Sequence, residues 1–241
     1  MTSSDPGMQH VLGLVEKAAQ CSANVLVEGE SGVGKSYLAR RIHEASACSA
    51  RRLDSIFCVP ETKVGGEGKR LVGLLSTGES RYGSIYVRGV DLLDAVSQRV
   101  LLAYLDTREA RIAAGPEQSQ RARLIFSSQK DLQAESGSGR FSSQLYMRIS
   151  VLRIRIPPLR QRAGDIIPLA RHFVGLYSER ESKRIGKLSR EAEAMLRRST
   201  WDGNIHELKN VVNRAVVMAN DGDSLGPREL SLMLQSKHFG L

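Results

Sequence analysis

Gly29-Glu30-Ser31-Gly32-Val33-Gly34-Lys35-Ser36 decides the fold of this chain. The run satisfies every fixed position of G-x-x-x-x-G-K-[ST], the spacing of a loop whose backbone amides surround a polyphosphate. Its flanks have the required form. Asn24-Val25-Leu26-Val27-Glu28 reads as a short buried strand, and Lys35 to Ala47 reads as a helix. Gly29, Gly32 and Gly34 are expected to let the main chain approach phosphates without Cβ clashes. Lys35 is expected to reach the β- and γ-phosphates, and the Ser36 hydroxyl to ligate Mg²⁺. Glu30, Ser31 and Val33 fill the variable positions of the same cradle.

Composition narrows the partners. The chain has 241 residues, enough for one large α/β domain or for a domain and a smaller companion. The net charge is +9, with basic residues spread along the chain at Arg51-Arg52, Lys69-Arg70, Arg153/Arg155, Arg160/Arg162, Lys183-Arg184 and Arg197-Arg198. A phosphate-bearing partner and a plain solvated basic surface both account for that excess. Aromatic residues are 5% and are not interleaved with the basic ones, which argues against a base-stacking groove. Cys21, Cys48 and Cys58 are too few and too scattered for a disulfide framework or a zinc site. The N-terminus lacks a basic-then-apolar leader and no run approaches 18 apolar residues, so a cytoplasmic protein without membrane contact is expected.

Along the chain, helical stripes and short apolar runs alternate. Met8 to Ala19 carries a helical stripe, Ile56 to Val59 reads as a strand, and 61–68 as a Gly-rich loop. Leu71 to Leu75 reads as a short helix, Gly83 to Val87 as a buried strand, and Asp91 to Asp106 as an amphipathic helix. Arg108 to Arg121 reads as a polar connector, with a hairpin as one form. Arg123 to Ser127 reads as a strand, Gln133 to Gly139 as a flexible loop and Phe141 to Ile149 as a helix. Val151 to Ile156 alternates with period two, as a strand with one wet face does. The alternation implies a parallel sheet covered on both faces. Beyond Pro157-Pro158 only helices are expected: Asp165 to Glu181 with Pro168 in its first turn, Ser189 to Ser199 capped by Ser189, Ile205 to Ala219 capped by Asn204, and Pro227 to Leu234. A boundary near Pro158 divides a nucleotide-binding α/β part, 1–158, from a small helical part, 159–241.

Several further stretches carry a family resemblance. They are Met8-Gln9, then Leu38-Ala39-Arg40 and Ile42-His43 after the loop, and Gly83-Ser84-Ile85-Tyr86-Val87. Ile154-Arg155-Ile156-Pro157-Pro158-Leu159-Arg160-Gln161-Arg162, Asp165-Ile166, and Trp201-Asp202-Gly203-Asn204-Ile205-His206-Glu207-Leu208-Lys209-Asn210-Val211-Val212 follow. With the loop, they resemble the AAA+ domain of bacterial enhancer-binding proteins, the ATPases that remodel sigma-54 RNA polymerase. The resemblance implies a P-loop NTPase sheet with flanking helices and a C-terminal helical lid. It also implies ATP or ADP as cofactor, with Mg²⁺ left open, and a role in transcription regulation by homo-oligomers or by assembly with related subunits.

The departures from that family bear on activity. In the family the second strand ends in Asp-Glu, which hold Mg²⁺ and polarise the attacking water; here Arg88 and Gly89 occupy those positions. A guanidinium cannot act as a base, although it matches a phosphate bidentately. Phosphate contact by Arg88, an ion pair, or simple exposure remain open. The region 64–82 is short and lacks the family's GAFTGA loop, which grips the sigma factor. The sensor position aligns with Gln129, the lid arginine with His206, and the two trans arginines with Ser142, which has lost the role, and Arg148, which retains it. The resemblance therefore implies a nucleotide-binding regulatory module with weak or lost hydrolysis. Three other readings stand beside it: a working ATPase served by Asp91 or Glu79, a receptor for a cyclic dinucleotide, and a scaffold. No helix-turn-helix follows the lid, so direct DNA binding is not expected of this chain.

Overall fold

A computed structural model describes residues 3–59, 67–78, 81–113 and 121–230. Among them, five strands form one parallel sheet: β1 (Val25–Glu28), β2 (Leu53–Phe57), β3 (Ser84–Arg88), β4 (Arg123–Ser128) and β5 (Leu152–Arg155), in the order β2-β3-β4-β1-β5. The three inner strands are buried almost without interruption, as expected where helices cover both faces. Edge strands β2 and β5 bury only alternate or isolated positions. All strands run the same way, so the ends of β1, β3 and β4 open onto one edge, where open α/β sheets bind ligands.

The helices in chain order are α1 (Pro6–Ala19), α2 (Lys35–Glu44), α3 (Glu67–Gly78), α4 (Ala95–Ala113), α5 (Leu132–Gly137), α6 (Ser143–Ile149), α7 (Ala163–Arg180), α8 (Arg190–Arg198) and α9 (Asn204–Met218). Two compact units emerge. One holds the sheet and comprises His10–Glu30 and Gly34–Ile156; its core includes Leu26, Ile85, Val87, Leu101, Leu124 and Phe126. The other is helical and comprises Met1–Gln9, Ser31–Val33 and Pro157–Leu241. Its core gathers Leu159, Ile166, Ala170, Leu196, Trp201, Leu208 and Val212 from α7, α8, α9 and their connections. Trp201 is fully buried, and its indole N–H donates to the Leu196 carbonyl at 2.8 Å, which satisfies the one polar atom of a large apolar group.

Several expectations are corrected. β2 begins at Leu53 and ends at Phe57, because its ladder to β3 pairs Leu53 with Ser84 and Phe57 with Arg88; the apolar run at Ile56 to Val59 marked only its end. Residues Leu132–Gly137 form α5 instead of a loop, since Asp131 caps it by accepting from the Gln133 and Ala134 amides. α4 continues to Ala113, so the front of the expected connector is helix, and α3 spans Glu67–Gly78, well beyond Leu71 to Leu75. Pro168 is the sixth residue of α7, past its first turn. Ser189 caps α8 as expected, accepting from the Ala192 amide at 3.1 Å. Asn204 does not cap α9. Its side chain is engaged elsewhere, and Glu207 reaches back to accept from the Gly203 amide at 2.9 Å. Residues 227–230 are helical. The remainder of that helix to Leu234, most of the loop at 61–68, the hairpin region 114–120 and Glu79 lie outside the described residues.

Candidate phosphate-binding site

The loop after β1 is built by its glycines and by what surrounds them. Gly34, at φ 108° and ψ 22°, turns the chain into α2 from a left-handed conformation that costs other residues about 1–2 kcal/mol. At Gly32 (φ 76°) the constraint is different from the one the sequence suggested. A Cβ there would sit 2.3 Å from the Gly203 carbonyl oxygen and 3.0 Å from the His206 Cβ. Glycine at this position therefore admits the protein's own backbone.

In the sheet unit, Lys35 folds back over the loop. Its Nζ donates to the Gly29 carbonyl at 2.6 Å and to the Glu30 carbonyl at 2.8 Å. Burial lowers the Lys35 pKa to about 8; Asp91 and Glu30 oppose that shift and Arg88 adds to it. Ser36 is exposed in the first turn of α2. The amides of Gly32, Val33 and Gly34 make no hydrogen bond among the described residues. A row of free amides closed by an ammonium group is an anion receptor.

The end of β3 faces the same edge. Arg88 is exposed, and its guanidinium carbon lies 5.4 Å from the centre of the Phe57 ring on β2. That cation–π contact contributes about 0.5–1 kcal/mol at an exposed site. Gly89 (φ 73°) then turns the chain into a short 3₁₀ turn, Val90–Leu92. The turn brings Asp91 back towards the site, where its Oδ1 accepts from the Gln129 amide at 3.2 Å. Asp91 is the electrostatic influence that most favours protonated Lys35. Gln129 meets Asp91 through its main chain.

The helical unit holds the loop tip. The Asn204 side-chain amide donates to the Ser31 carbonyl at 2.9 Å, the Ile205 amide to the Gly32 carbonyl at 3.0 Å, and the Arg162 guanidinium to the Val33 carbonyl at 2.8 Å. His206 lies beside Gly32. Arg148, on α6, is ion-paired within the chain to Asp106 at 2.9 Å and to Glu109. Sequence reasoning offered Asp91 only as a substitute carboxylate for a working ATPase, and missed Arg162 and Asn204 as parts of the site. It also missed Glu28, buried at the root of the loop, where it pairs with Arg153 and accepts from the Leu132 amide at 2.9 Å. Glu28 had one visible signal: a carboxylate ending an apolar strand.

The donor set fits Mg²⁺ poorly. The loop offers two hydroxyls, Ser31 and Ser36; of the carboxylates beside it, Glu28 is paired with Arg153, Asp91 already accepts a hydrogen bond and Glu30 acts on Lys35; and a guanidinium ends β3. No cluster of three or more His, Cys, Asp or Glu side chains able to hold a metal exists among the described residues. Among the same residues no helix is long and apolar enough to cross a membrane.

Comparison with known proteins agrees with this geometry. The sigma-54 interaction domain matches residues 3–159, and the AAA+ ATPase lid domain matches residues 160–239. The transcriptional regulatory protein ZraR of Escherichia coli K12 is 35% identical over 249 residues, covering 98% of this chain and 56% of ZraR. The nitrogen fixation protein AnfA of Azotobacter vinelandii is 34% identical over 227 residues, covering 89% of this chain and 43% of AnfA. The chain therefore spans about half the length of the curated relatives it matches. The crystal structure of NtrX from Brucella abortus in complex with ATP superposes with a TM-score of 0.78 at 21% identity, covering 100% of this chain and 58% of NtrX, which shows a common fold. A second NtrX structure, with ADP, has a TM-score of 0.74 at 22% identity, covering 95% of this chain and 55% of NtrX. On the extent of the two family matches, this chain belongs to the sigma-54 interaction domain family, a parallel AAA+ sheet with its helical lid.

Proposed function

We propose that this chain is a nucleotide-binding regulatory module of the sigma-54 activator type, which holds ATP or ADP with weak or absent hydrolysis. The observation that carries the reading is the contrast between an intact phosphate loop and a β3 end that presents Arg88 and Gly89. Gly29, Glu30, Ser31, Gly32, Val33, Gly34, Lys35 and Ser36 form the phosphate cradle in this reading. Arg88, Gln129 and His206 complete the nucleotide's surroundings. Arg88 supplies a phosphate-facing cation where relatives place a metal-holding carboxylate, by leaving the Phe57 ring. The 1–158 part binds the nucleotide and the 159–241 part acts as its lid. The module works in the cytoplasm, in transcription regulation, as a homo-oligomer or with related AAA+ subunits. In such an assembly Arg148 serves a neighbour's nucleotide once it leaves Asp106 and Glu109. The name of ZraR, a transcriptional regulatory protein, and the ATP and ADP held by NtrX support the regulatory and nucleotide parts of this reading.

Calorimetric titration with ATP, with and without EDTA, combined with a phosphate-release assay, tests it. Binding that EDTA leaves unchanged, with negligible release, is the expected result. Turnover at the rate of an ordinary ATPase, abolished by Lys35→Ala, would falsify it. One observation favours a second reading, a slow but working ATPase: Asp91 acts on Lys35 and is tied to Gln129. In that case Asp91→Asn removes a measurable phosphate release while ATP binding persists.

A further inference from the structure

Three successive carbonyl groups at the loop tip, those of Ser31, Gly32 and Val33, are each taken by a donor of the helical unit to which these residues belong. Two of the three donors are side chains that are almost fully withdrawn from solvent: Asn204 is 0% exposed and Arg162 is 3% exposed. Both are expensive to place there. Asn204 adopts φ 54°, in the left-handed region, and its Oδ1 accepts from the Leu159 amide at 2.8 Å, so the side chain is fixed at both ends. Arg162 buries a cation whose Nε has no partner, with Nη1 against the Met8 sulfur at 3.4 Å and Nη2 on Val33. An apolar side chain would fill the same space without leaving a buried donor unsatisfied.

The geometry of the peptide unit gives these contacts a consequence. In a planar trans peptide, the C=O of one residue and the N–H of the next point in opposite directions. Holding the carbonyls of Ser31, Gly32 and Val33 therefore directs the amides of Gly32, Val33 and Gly34 the other way. Those are three amides that have no partner among the described residues. We infer that Arg162 and Asn204 are positioning residues of the phosphate loop: by holding the Val33 and Ser31 carbonyls, on either side of the Ile205 amide's hold on Gly32, they keep the loop's amides aimed at an anion. The inference rests on the phosphate-site reading and adds the means by which the helical unit sets phosphate affinity. It also explains Gly32. Three carbonyls reach their donors only if the loop tip approaches Gly203 to a distance that any Cβ forbids.

The test compares ATP and inorganic tripolyphosphate as ligands of the full chain and of four variants, Arg162→Met, Arg162→Lys, Asn204→Asp and Asn204→Leu. Asn204→Asp retains an acceptor for the Leu159 amide and loses the donor to Ser31, so it separates the loop contact from the fold. Arg162→Met and Asn204→Asp are expected to weaken both ligands by the same factor, tenfold or more. Arg162→Lys is expected to recover part of the loss, because its ammonium is still a donor for Val33. Thermal melting of each free variant accompanies the titrations, and only folded variants are scored. Should Asn204→Leu or Arg162→Met fail to fold, Asn204→Asp and Arg162→Lys decide the matter. Equal affinities in the wild type and the folded variants overturn the inference, as does a loss confined to ATP, which would place the effect on the base. Failure of the wild type to bind either ligand overturns the nucleotide reading and this inference with it.

Discussion

The loop after β1 and the turn after β3 begin alike and part company within two residues. Both leave buried parallel strands at the same edge of the sheet, and both extend the ladder onto β4 by one amide. Gly29 donates to Ser128 at 3.3 Å, and Gly89 donates to Ser127 at 2.9 Å. Both then turn through glycine at positive φ. After β1 the chain keeps every fixed position of the phosphate-loop pattern, whereas after β3 it places a guanidinium over Phe57 and no side chain at all on Gly89. The two tasks make different demands. Phosphate is held largely by main-chain amides, so a loop retains that capacity while its conformation is retained. Activating a water molecule needs a carboxylate at one place, and a single substitution removes it.

The strongest way to break the comparison is Gly32→Ala. The added Cβ would stand 2.3 Å from the Gly203 oxygen in a left-handed residue. Overpacking costs about 1–3 kcal/mol and the backbone strain about 1–2 kcal/mol more, so a large drop in the urea midpoint is expected. A variant as stable as the wild type would show that the loop tip is not held as described.

Lys35→Ala tests the receptor alone. Hydrogen bonds to charged groups contribute about 1.5–3 kcal/mol, so ATP affinity should fall by roughly 10- to 150-fold. Stability of the free chain at pH 7 should not fall with it. Burial lowers the lysine from 10.5 to about 8, so the unfolded chain binds this proton more tightly than the folded one. Between those two values stability should rise with pH in the wild type, and that rise should vanish in the variant. A lower urea midpoint for Lys35→Ala at pH 7 would mean that the lysine supports the empty loop.

The pH dependence of binding sharpens the same point. An anion in the loop favours protonated Lys35. ATP affinity should therefore be level below pH 8 and decline by up to about tenfold per pH unit above it. Calorimetry across pH 6 to 10, in about matched ionic strength to hold screening constant, reads this directly. Lys35→Ala should show no such decline, and a profile shared by both proteins would remove the lysine from the ligand's contacts.

Gly89→Ala is the smallest effect. The nearest atom to its added Cβ is Leu92 Cδ1 at 3.1 Å, the free end of a side chain that is able to move. Only the left-handed strain of about 1 kcal/mol is expected. A loss equal to that of Gly32→Ala would make the two turns alike after all.

Much of the fold was legible because its signals are local. A glycine-rich loop between an apolar strand and a helix, the alternation of elements to Ile156, and the Pro-Pro that precedes a purely helical stretch all lie within short windows. α5 was not legible because its residues, Leu132–Gly137, have a polar and flexible composition. Its start depends on Asp131, which also bonds Arg153 at 2.7 Å across the sheet edge. Asn204 was legible as a helix-capping residue type and acts instead through Leu159 and Ser31, 45 and 173 residues away in sequence. Asp91 was legible only as an alternative carboxylate beyond the end of β3. Gly89 and the 3₁₀ turn bend it back to Gln129.

The sequence by itself determined that a loop with the phosphate-binding pattern follows an apolar strand, that a parallel sheet carries it, and that Arg88 and Gly89 stand where β3 ends. Those are matters of residue type and spacing, which survive without coordinates. Only the tertiary structure decided what each side chain is attached to. It turned Lys35 onto its own loop, set Arg88 over Phe57, gave Arg148 to Asp106 and Glu109, and used Arg162, Asn204 and the Ile205 amide to hold three loop carbonyls. The physical reason is that a hydrogen bond is settled by distance and direction in space, and residues far apart in sequence meet those conditions only once the chain has packed.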